Sequence, residues 1–191
     1  MDFFSFKNND KPEKGSLLLS EPFLPDPNFE RTVVLLCEHN QQGSFGFVLN
    51  KPSTVFVEDI IEELEGCKSM VYIGGPVQQD TLHFLHQRED LEGCIEVGNG
   101  LFWGGDFEML KLWMATDLIN LDEIKFFLGY SGWSEGQLEK ELEGDSWIVA
   151  DKSSVEVCLK LDAETLWKRV LKEMGGKFQL YSNYPVDPRL N

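Results

Sequence analysis

Short apolar runs, separated by glycine, proline and polar residues, set the pattern of this chain. Runs rich in Leu, Val and Phe predict β-strands at 15–20, 31–38, 44–50 and 70–74. Further extended segments are predicted at 81–86, 93–104, 125–130, 146–151 and 155–159. The segment 40–43, Asn-Gln-Gln-Gly, has the chemistry of a hairpin turn, because glycine accepts a positive φ. An antiparallel strand pair is therefore expected around it.

Helices are predicted where a capping residue precedes an amphipathic stretch and a glycine or a polar residue ends it. The four caps are Ser53 or Thr54, Asp106, Ser134 with Gln137 in a capping box, and Asp162. The helices that they open extend to about Glu65, Ala115, Glu143 and Met174. Most connections between the predicted strands are too short for a parallel βαβ crossover. We therefore predict an α/β fold of the α+β type: a mixed, largely antiparallel, partly barrel-like sheet flanked by about four helices.

The length and composition of the chain favour one core. Its residues are 42% hydrophobic, an apolar content sufficient for a core, and its length of 191 residues suits one domain better than two. Residues 1–14 are mostly polar and contain Pro12, so we expect a loose N-terminal arm there. A single domain is expected over 15–191.

The charge balance excludes several kinds of partner. There are 17 Lys and Arg against 33 Asp and Glu, a formal net charge of −16, and no concentrated basic cluster. Because nucleic acids and anionic membranes are bound mainly through Lys and Arg, direct binding to either is not expected. The chain shows no apolar segment of membrane-spanning length and its first residues do not resemble a signal peptide. We therefore expect a cytoplasmic protein.

Candidate catalytic and metal-binding patterns each fail at a named position. The segment 129–133 resembles the Gly-x-Ser-x-Gly elbow of hydrolases, but Trp133 stands where the second glycine is needed. Pro76 removes a backbone donor from the Gly74-Gly75 turn, which therefore does not suit a phosphate. His83 and His86 are predicted to lie on opposite faces of a strand, and the four cysteines are widely spaced. We assign no catalytic residue, no metal site and no cofactor.

Two aromatic residues within the segment 129–133 are candidates for a binding role. Tyr130 and Trp133 flank the turn that leads into the third predicted helix. We favour a packing role, in which they hold that helix against the sheet. Stacking on a ligand is the alternative.

Several segments together resemble one bacterial family, YqgE/AlgH. They are GSLLLS (15–20) with Pro22, FERTVVLLCEH (29–39), Gly43 with GFVLNKP (46–52), GGPV (74–77), LH (82–83), LGYSGW (128–133), and QLE (137–139) with Trp147. The resemblance implies a compact α/β fold around a mixed barrel-like sheet. It implies little about activity, because the family is largely uncharacterised and the label of transcriptional regulator given to some members has no DNA-binding motif behind it. Members commonly have alanine where this chain has Ser131, which weakens Ser131 as a nucleophile.

For three polar residues within the segments that resemble the family, local backbone structure does not explain why a polar residue is present. Arg31, His39 and Asn50 flank predicted buried strands, where polar groups need partners. With Tyr130 and Trp133 they form the set of candidate ligand-binding residues.

Two functions from different classes remain open. The leading hypothesis is a non-enzymatic regulatory or interaction protein whose acidic surface engages a protein partner, one with a basic surface being the natural complement. The alternative is a small-molecule-binding protein or an unrecognised enzyme with a cleft near His39. A regulator that binds DNA directly is the least favoured hypothesis, and the sequence leaves the oligomeric state open.

Overall fold

A computed structural model describes residues 11–150 and 153–186 of the chain, so most of the predicted arm at 1–14 lies outside the described residues. The strands are β1 (Leu17–Ser20), β2 (Val33–Asn40), β3 (Gly43–Val48), β4 (Pro52–Phe56), β5 (Met70–Ile73), β6 (Val77–His86), β7 (Ile95–Gly98), β8 (Leu101–Trp103), β9 (Ile124–Ser134) and β10 (Trp147–Ala150). The helices are α1 (Val57–Ile60), α2 (Phe107–Ala115), α3 (Gln137–Glu143), α4 (Ala163–Met174) and α5 (Gly176–Tyr181). Short 3₁₀ turns at Glu62–Leu64 and Leu121–Glu123 and a π-helical turn at Glu156–Lys160 complete the secondary structure of the described segments.

The strands form a mixed, largely antiparallel sheet, which confirms the predicted fold class. Its order is β10-β1-β2-β3-β9-β6-β8-β7, with β5 parallel to β9 and antiparallel to β4. Over the described residues the sheet stays open and does not close into a barrel. The predicted turn at 40–43 does join an antiparallel pair, β2 and β3.

Strand β9 organises the sheet because its two halves have different neighbours. Residues 126–128 lie between β5 and β6, whereas residues 131–134 pair with β3. At the change of neighbour the backbones approach so closely that a Cβ at Gly75 would lie 2.2 Å from the carbonyl oxygen of Tyr130. Glycine is therefore required at Gly75.

The two faces of the sheet are covered by different helices. One face carries the largest core cluster, in which Leu17, Leu35 and Phe127 of the sheet meet Leu166 and Leu171 of α4. On the opposite face α2 and the α1 region cover one cluster, and α3 covers another. The first of these faces also contains an aromatic cleft, whose lining includes Phe45 and Tyr130.

Two of the predicted helices match the structure closely. Asp106 accepts a hydrogen bond from the Met109 N–H at the start of α2, and Asp162 accepts one from the Thr165 N–H at the start of α4. The third, α3, begins after Gly136, which has a left-handed conformation, rather than directly after Ser134. Gln137 nevertheless accepts the Ser134 N–H, as expected for half of a capping box.

Two of the predicted elements are wrong. The helix expected from Ser53 or Thr54 to Glu65 is replaced by β4, the four-residue α1 and a 3₁₀ turn. Ser53 does not cap a helix, because its hydroxyl donates to the carbonyl of Val71 in the neighbouring strand. The strand expected at 155–159 is a π-helical turn instead, and it places Cys158 in the core.

A lysine is buried in the core without an acidic partner. Lys125 on β9 is 4% exposed, and its Nζ lies 4.0 Å from the Tyr72 ring centroid and 3.4 Å from the Cys158 carbonyl oxygen. No ion pair of the described residues includes it. Burial lowers the pKa of Lys125 to about 8 and raises the pKa of the Cys158 thiol to about 12. The folded protein therefore bears the cost of a charge that the unfolded chain leaves in water.

Replacing this lysine with an apolar residue of similar shape is expected to stabilise the protein. Lys125→Met should raise the free energy of unfolding at pH 7 by about 1–3 kcal/mol, measured by urea denaturation. The exposed Lys168 gives the matched control, because Lys168→Met should change stability by less than about 0.5 kcal/mol.

The same variant has a defined pH dependence. Because the folded-state pKa of Lys125 is lowered, the unfolded chain takes up the proton first as the pH falls from 10.5 towards 8, and the wild type loses stability over that range. The advantage of Lys125→Met should therefore be largest below pH 8 and shrink towards pH 10. An advantage that is constant from pH 7 to pH 10 would contradict this account.

Candidate functional site

An aromatic cleft opens beside the tip of the β2–β3 hairpin. Its volume is about 540 Å³. It is lined by Glu38, Asn40, Gln42, Gly43, Ser44, Phe45, Val77, His83, Trp103, Tyr130, Gly132 and Trp133. The volume lies in the range typical of ligand pockets, roughly 300–1,000 Å³.

The register of the strands explains which side chains face this cleft. Leu36 pairs with Gly46, but the next pair is Glu38 with Phe45, so a β-bulge occupies the positions of Cys37 and Glu38. In such a bulge two residues oppose one, and the side chain that follows is turned to the other face. Glu38 therefore shares a face with Phe45 instead of continuing the alternation of the strand.

A glycine keeps the cleft open next to Phe45. Phe45 pairs with Gly132 on β9, and a Cβ at Gly132 would lie 3.2 Å from the Tyr130 ring. The ring of Tyr130, two residues earlier on the same face, occupies part of this space. A larger residue at position 132 would fill the cleft from the side of β9.

The half-buried rings of the cleft contact one another edge to face. Phe45 lies 5.0 Å from Trp103 and 6.0 Å from Tyr130 between ring centroids, with interplanar angles of 78° and 83°. His83 lies 5.9 Å from Tyr130 at 87°. These spacings are favourable for aromatic pairs and fix the orientation of the rings. The rings thereby line the cleft in an ordered arrangement.

His83 belongs to the cleft as a neutral ring. Burial lowers the pKa of His83 below its ordinary value of 6.5, so the imidazole is uncharged at pH 7. Its Nε2 is buried and has no hydrogen-bond partner among the described residues. His86 lies on the other face of β6, where its Nε2 is 2.8 Å from the Gly104 carbonyl oxygen and its Nδ1 accepts the Arg88 N–H. The two histidines do not face a common site.

His39 and Trp133 are directed to the opposite face of the sheet from Glu38 and Phe45. His39 pairs with Ser44, Ser44 pairs with Trp133, and the Nδ1 of His39 is 2.7 Å from the Ser44 Oγ. The indole N–H of Trp133 donates to Glu141 of α3 at 2.8 Å. Trp133 is 6% exposed and packs with Leu138. Trp133 thus contacts α3 and also borders the cleft, as Tyr130 does, and the packing role favoured for the two residues over ligand stacking stays a prediction.

Arg31 and Asn50 lie at the other end of the hairpin. Arg31 lies two residues before β2 begins, and His39 lies near the far end of that strand, roughly 20 Å from Val33 at about 3.3 Å per residue. Its Nη2 donates to the carbonyl oxygens of Tyr184 and Pro185 at 2.7 and 2.6 Å, and its guanidinium lies 5.0 Å from the Trp167 ring centroid. Arg31 therefore holds the segment that follows α5.

Asn50 links the start of β2 to the end of β3. Its Oδ1 accepts the Val33 N–H and its Nδ2 donates to the Arg31 carbonyl, both at 2.9 Å. These bonds also hold Arg31 at a φ of 50°, a conformation that costs free energy in a residue other than glycine. The three polar candidates Arg31, His39 and Asn50 thus do not share a cleft.

Ser131 and the glycine turn have structural partners. Ser131 is fully buried and its hydroxyl donates to the Gly74 carbonyl at 3.1 Å. The same carbonyl accepts the Val48 N–H, and the Gly74 N–H donates to Leu128. The carbonyl and the N–H of Gly74 are thus used within the sheet and are not free to bind a phosphate.

Metal-binding clusters and membrane-spanning helices are not found in the part of the chain that the structure describes. Over the described residues, no group of three or more His, Cys, Asp or Glu side chains is placed to hold a metal ion. The helices of the same residues include none with the length and apolar character needed to cross a bilayer. The aromatic cleft is therefore the site on which a functional proposal can be built.

The fold is that of two solved bacterial structures. A crystal structure of a Corynebacterium diphtheriae protein matches with a TM-score of 0.76 and 25% identity, covering 92% of this chain and 94% of that one. The solution structure of the AlgH protein from Pseudomonas aeruginosa matches with a TM-score of 0.72 and 29% identity, covering 92% and 97%.

Sequence comparison places the chain in a family. The DUF179 family model, described as AlgH-like, matches residues 17–179, and the chain belongs to this family. A UPF0301 protein of Cytophaga hutchinsonii is 49% identical over 180 residues, covering 93% of this chain and 98% of the relative. One from Bacteroides thetaiotaomicron is 38% identical over 192 residues, covering 100% and 97%. The resemblance recognised in the sequence is confirmed.

The assignment of Asn50 to structure rather than to the cleft can be tested directly. Asn50→Ala should lower the free energy of unfolding by about 2 kcal/mol, because it leaves the Val33 N–H and the Arg31 carbonyl without partners. The NMR chemical shift of the Trp103 indole N–H should stay unchanged. Asn183→Ala, at an exposed asparagine, is the matched control and should be close to neutral. A shifted Trp103 signal with unchanged stability would place Asn50 in the cleft instead.

Proposed function

We propose that this protein is a non-enzymatic binding module that recognises a protein partner through the aromatic cleft. The observation that carries the proposal is the set of half-buried rings of Phe45, Trp103 and Tyr130, held open to solvent beside Gly132. Aromatic side chains that are partly exposed in a concave site are typical centres of recognition. The open shape suits a side chain presented by a partner.

The rest of the molecule is consistent with this role. The net charge of −16 favours a partner with a basic surface and disfavours direct binding to DNA. The four cysteines are free, as expected for the cytoplasmic location that we propose. A regulatory role would follow from the choice of partner rather than from chemistry at the cleft.

A display selection with a tryptophan control tests the proposal. Peptides selected on the wild-type protein should bind Trp103→Ala at least about tenfold more weakly, a loss of about 1.4 kcal/mol, because a tryptophan in a concave site contributes strongly to binding. Trp113, a half-buried tryptophan on α2 outside the cleft, is the matched control, and Trp113→Ala should keep the affinity. Far-UV circular dichroism checks the fold of both variants. Peptides that bind both variants as tightly as the wild type would show that the cleft is not the site.

One observation favours an enzyme as the second candidate. The Ser44 hydroxyl lies 2.7 Å from His39 Nδ1, the distance expected between a nucleophile and its base. In the described part of the chain, however, no carboxylate bonds to the His39 ring. Ser44 and His39 are also directly opposed residues of a hairpin, where a hydrogen bond between side chains is common. We therefore interpret the pair as structural.

Covalent labelling distinguishes a structural pair from a catalytic one. A fluorophosphonate probe, which reacts with activated serines, should leave Ser44 unmodified when the protein is examined by mass spectrometry. A serine hydrolase run in parallel confirms that the probe is active. An adduct at Ser44 that disappears in His39→Gln would replace the binding proposal with an enzymatic one.

A further inference from the structure

Within residues 11–150 and 153–186, cations lie over aromatic rings at five places outside the cleft. The pairs are Arg31 with Trp167 at 5.0 Å, Arg88 with Trp113 at 4.2 Å, Lys111 with Phe107 at 5.7 Å, Lys125 with Tyr72 at 4.0 Å and Lys177 with Phe178 at 5.2 Å. Each ring attracts its cation through the negative face of the π-system. Two of these rings, on Trp113 and Trp167, carry an arginine.

The rings of the cleft have no such partner among the described residues. Phe45, Trp103 and Tyr130 are absent from those pairs, and the lining of the cleft includes no lysine or arginine. Its histidine, His83, is neutral at pH 7 because burial lowers its pKa. Among the described residues, the cleft therefore combines half-buried rings that lack a cation of this chain with a lining that carries no lysine or arginine.

A carboxylate stands next to these rings. Glu38 is the one acidic residue of the lining, and it pairs directly with Phe45 across the hairpin, which places the two Cβ atoms about 5 Å apart. Glu38 is exposed and accepts a hydrogen bond from Asn40 Nδ2 through Oε1. No ion pair of the described residues includes Glu38. Its charge is free to meet a cation that enters the cleft.

We propose that the cleft receives an arginine side chain from a basic segment of the protein partner. This assignment rests on the binding function proposed above and names the group that is bound. The guanidinium would stack on the ring faces of Trp103 and Tyr130 and donate to the carboxylate of Glu38. Arginine fits better than lysine, because its planar, weakly hydrated head can stack and form two hydrogen bonds at once. The net charge of −16 attracts such a segment before contact is made.

A charge-neutral isostere provides the test. The probes are the capped peptides Gly-Gly-Arg-Gly-Gly, the same sequence with citrulline, and the same sequence with norleucine, each titrated into the full-length protein while the Trp103 indole N–H signal is followed by NMR. The arginine peptide should shift this signal, and the citrulline peptide should bind about fivefold more weakly because it lacks the charge. Raising the salt from 0.05 to 0.3 M should weaken only the arginine peptide.

Two variants assign the recognition to individual groups. Glu38→Gln should weaken the arginine peptide about fivefold. Trp103→Leu should also weaken it about fivefold while keeping an apolar side chain in place; because this variant lacks the indole, the backbone amide signal of Gly132 in the cleft is followed instead. Glu164→Gln, which removes one exposed carboxylate on α4, changes the net charge equally and should have no such effect.

The outcomes separate the arginine assignment from the binding function. Equal affinity for arginine and citrulline, or equal effects of Glu38→Gln and Glu164→Gln, would overturn the arginine assignment. A norleucine peptide that binds more tightly than the arginine peptide would also overturn it, while supporting the cleft as a binding site. If no peptide shifts the Trp103 signal, the arginine assignment fails, and the display selection decides separately whether the cleft binds a partner.

Discussion

The fold depends on the close approach of two backbone segments at the middle of β9. The first half of this strand pairs with β5 and β6 and the second half with β3, so one strand connects two groups of neighbours. The change of partner is possible because the turn at Gly74 and Gly75 can lie against β9 without side chains between them. Hydrogen bonds from Val48 and Ser131 to the Gly74 carbonyl fix this arrangement. The position of β3 relative to Tyr130, and with it the shape of the cleft, follows from this contact.

A second constraint acts at the rim of the cleft. By the alternation of β2, Val34 and Leu36 face α3, and Glu38 would follow them. The bulge at Cys37 and Glu38 breaks the alternation, turns the carboxylate towards Phe45 and turns His39 towards the other side. A one-residue irregularity thus decides which of two adjacent polar residues belongs to the cleft. Bulges are often found next to functional sites for this reason.

Elements with strong local signals could be predicted from the sequence. Helices α2 and α4 have an aspartate cap and a clear end, and both were predicted at the observed positions. The segment at 53–65 carries a possible serine cap, but pairing with β5 outweighs it, since Ser53 uses its hydroxyl across the sheet. For 155–159 the apolar run is compatible with either a strand or a buried helical turn, and contact with the core of α4 decides for the turn.

The candidate site was predicted less well than the fold. Tyr130 was found because it stands in a distinctive segment, but Glu38, His83 and Trp103 lie on three different strands and meet only through the sheet order. Arg31 and Asn50 were predicted to bind a ligand because they are polar residues beside buried strands. Polar residues at such positions also make structural hydrogen bonds, and both side chains do so here. The signal that could have indicated the cleft is the pairing of Phe45 with Gly132, because a glycine opposite an aromatic residue leaves the ring uncovered. Strand register is needed to see that pairing, and local patterns do not supply it.

The cleft is best understood as the uncovered end of the main core. Ring contacts run without a break from Tyr72 through Phe127, Phe47 and His83 to Tyr130, so the rings of the cleft continue the buried cluster into solvent. At the other end of the same face, α4 covers the cluster with Leu166, Trp167 and Leu171. Covering the cleft in the same way would bury more apolar surface and stabilise the fold, yet Gly132 keeps it open. An aromatic surface that remains exposed at a cost to stability, beside a carboxylate that a bulge has turned towards it, is the arrangement expected of a binding site.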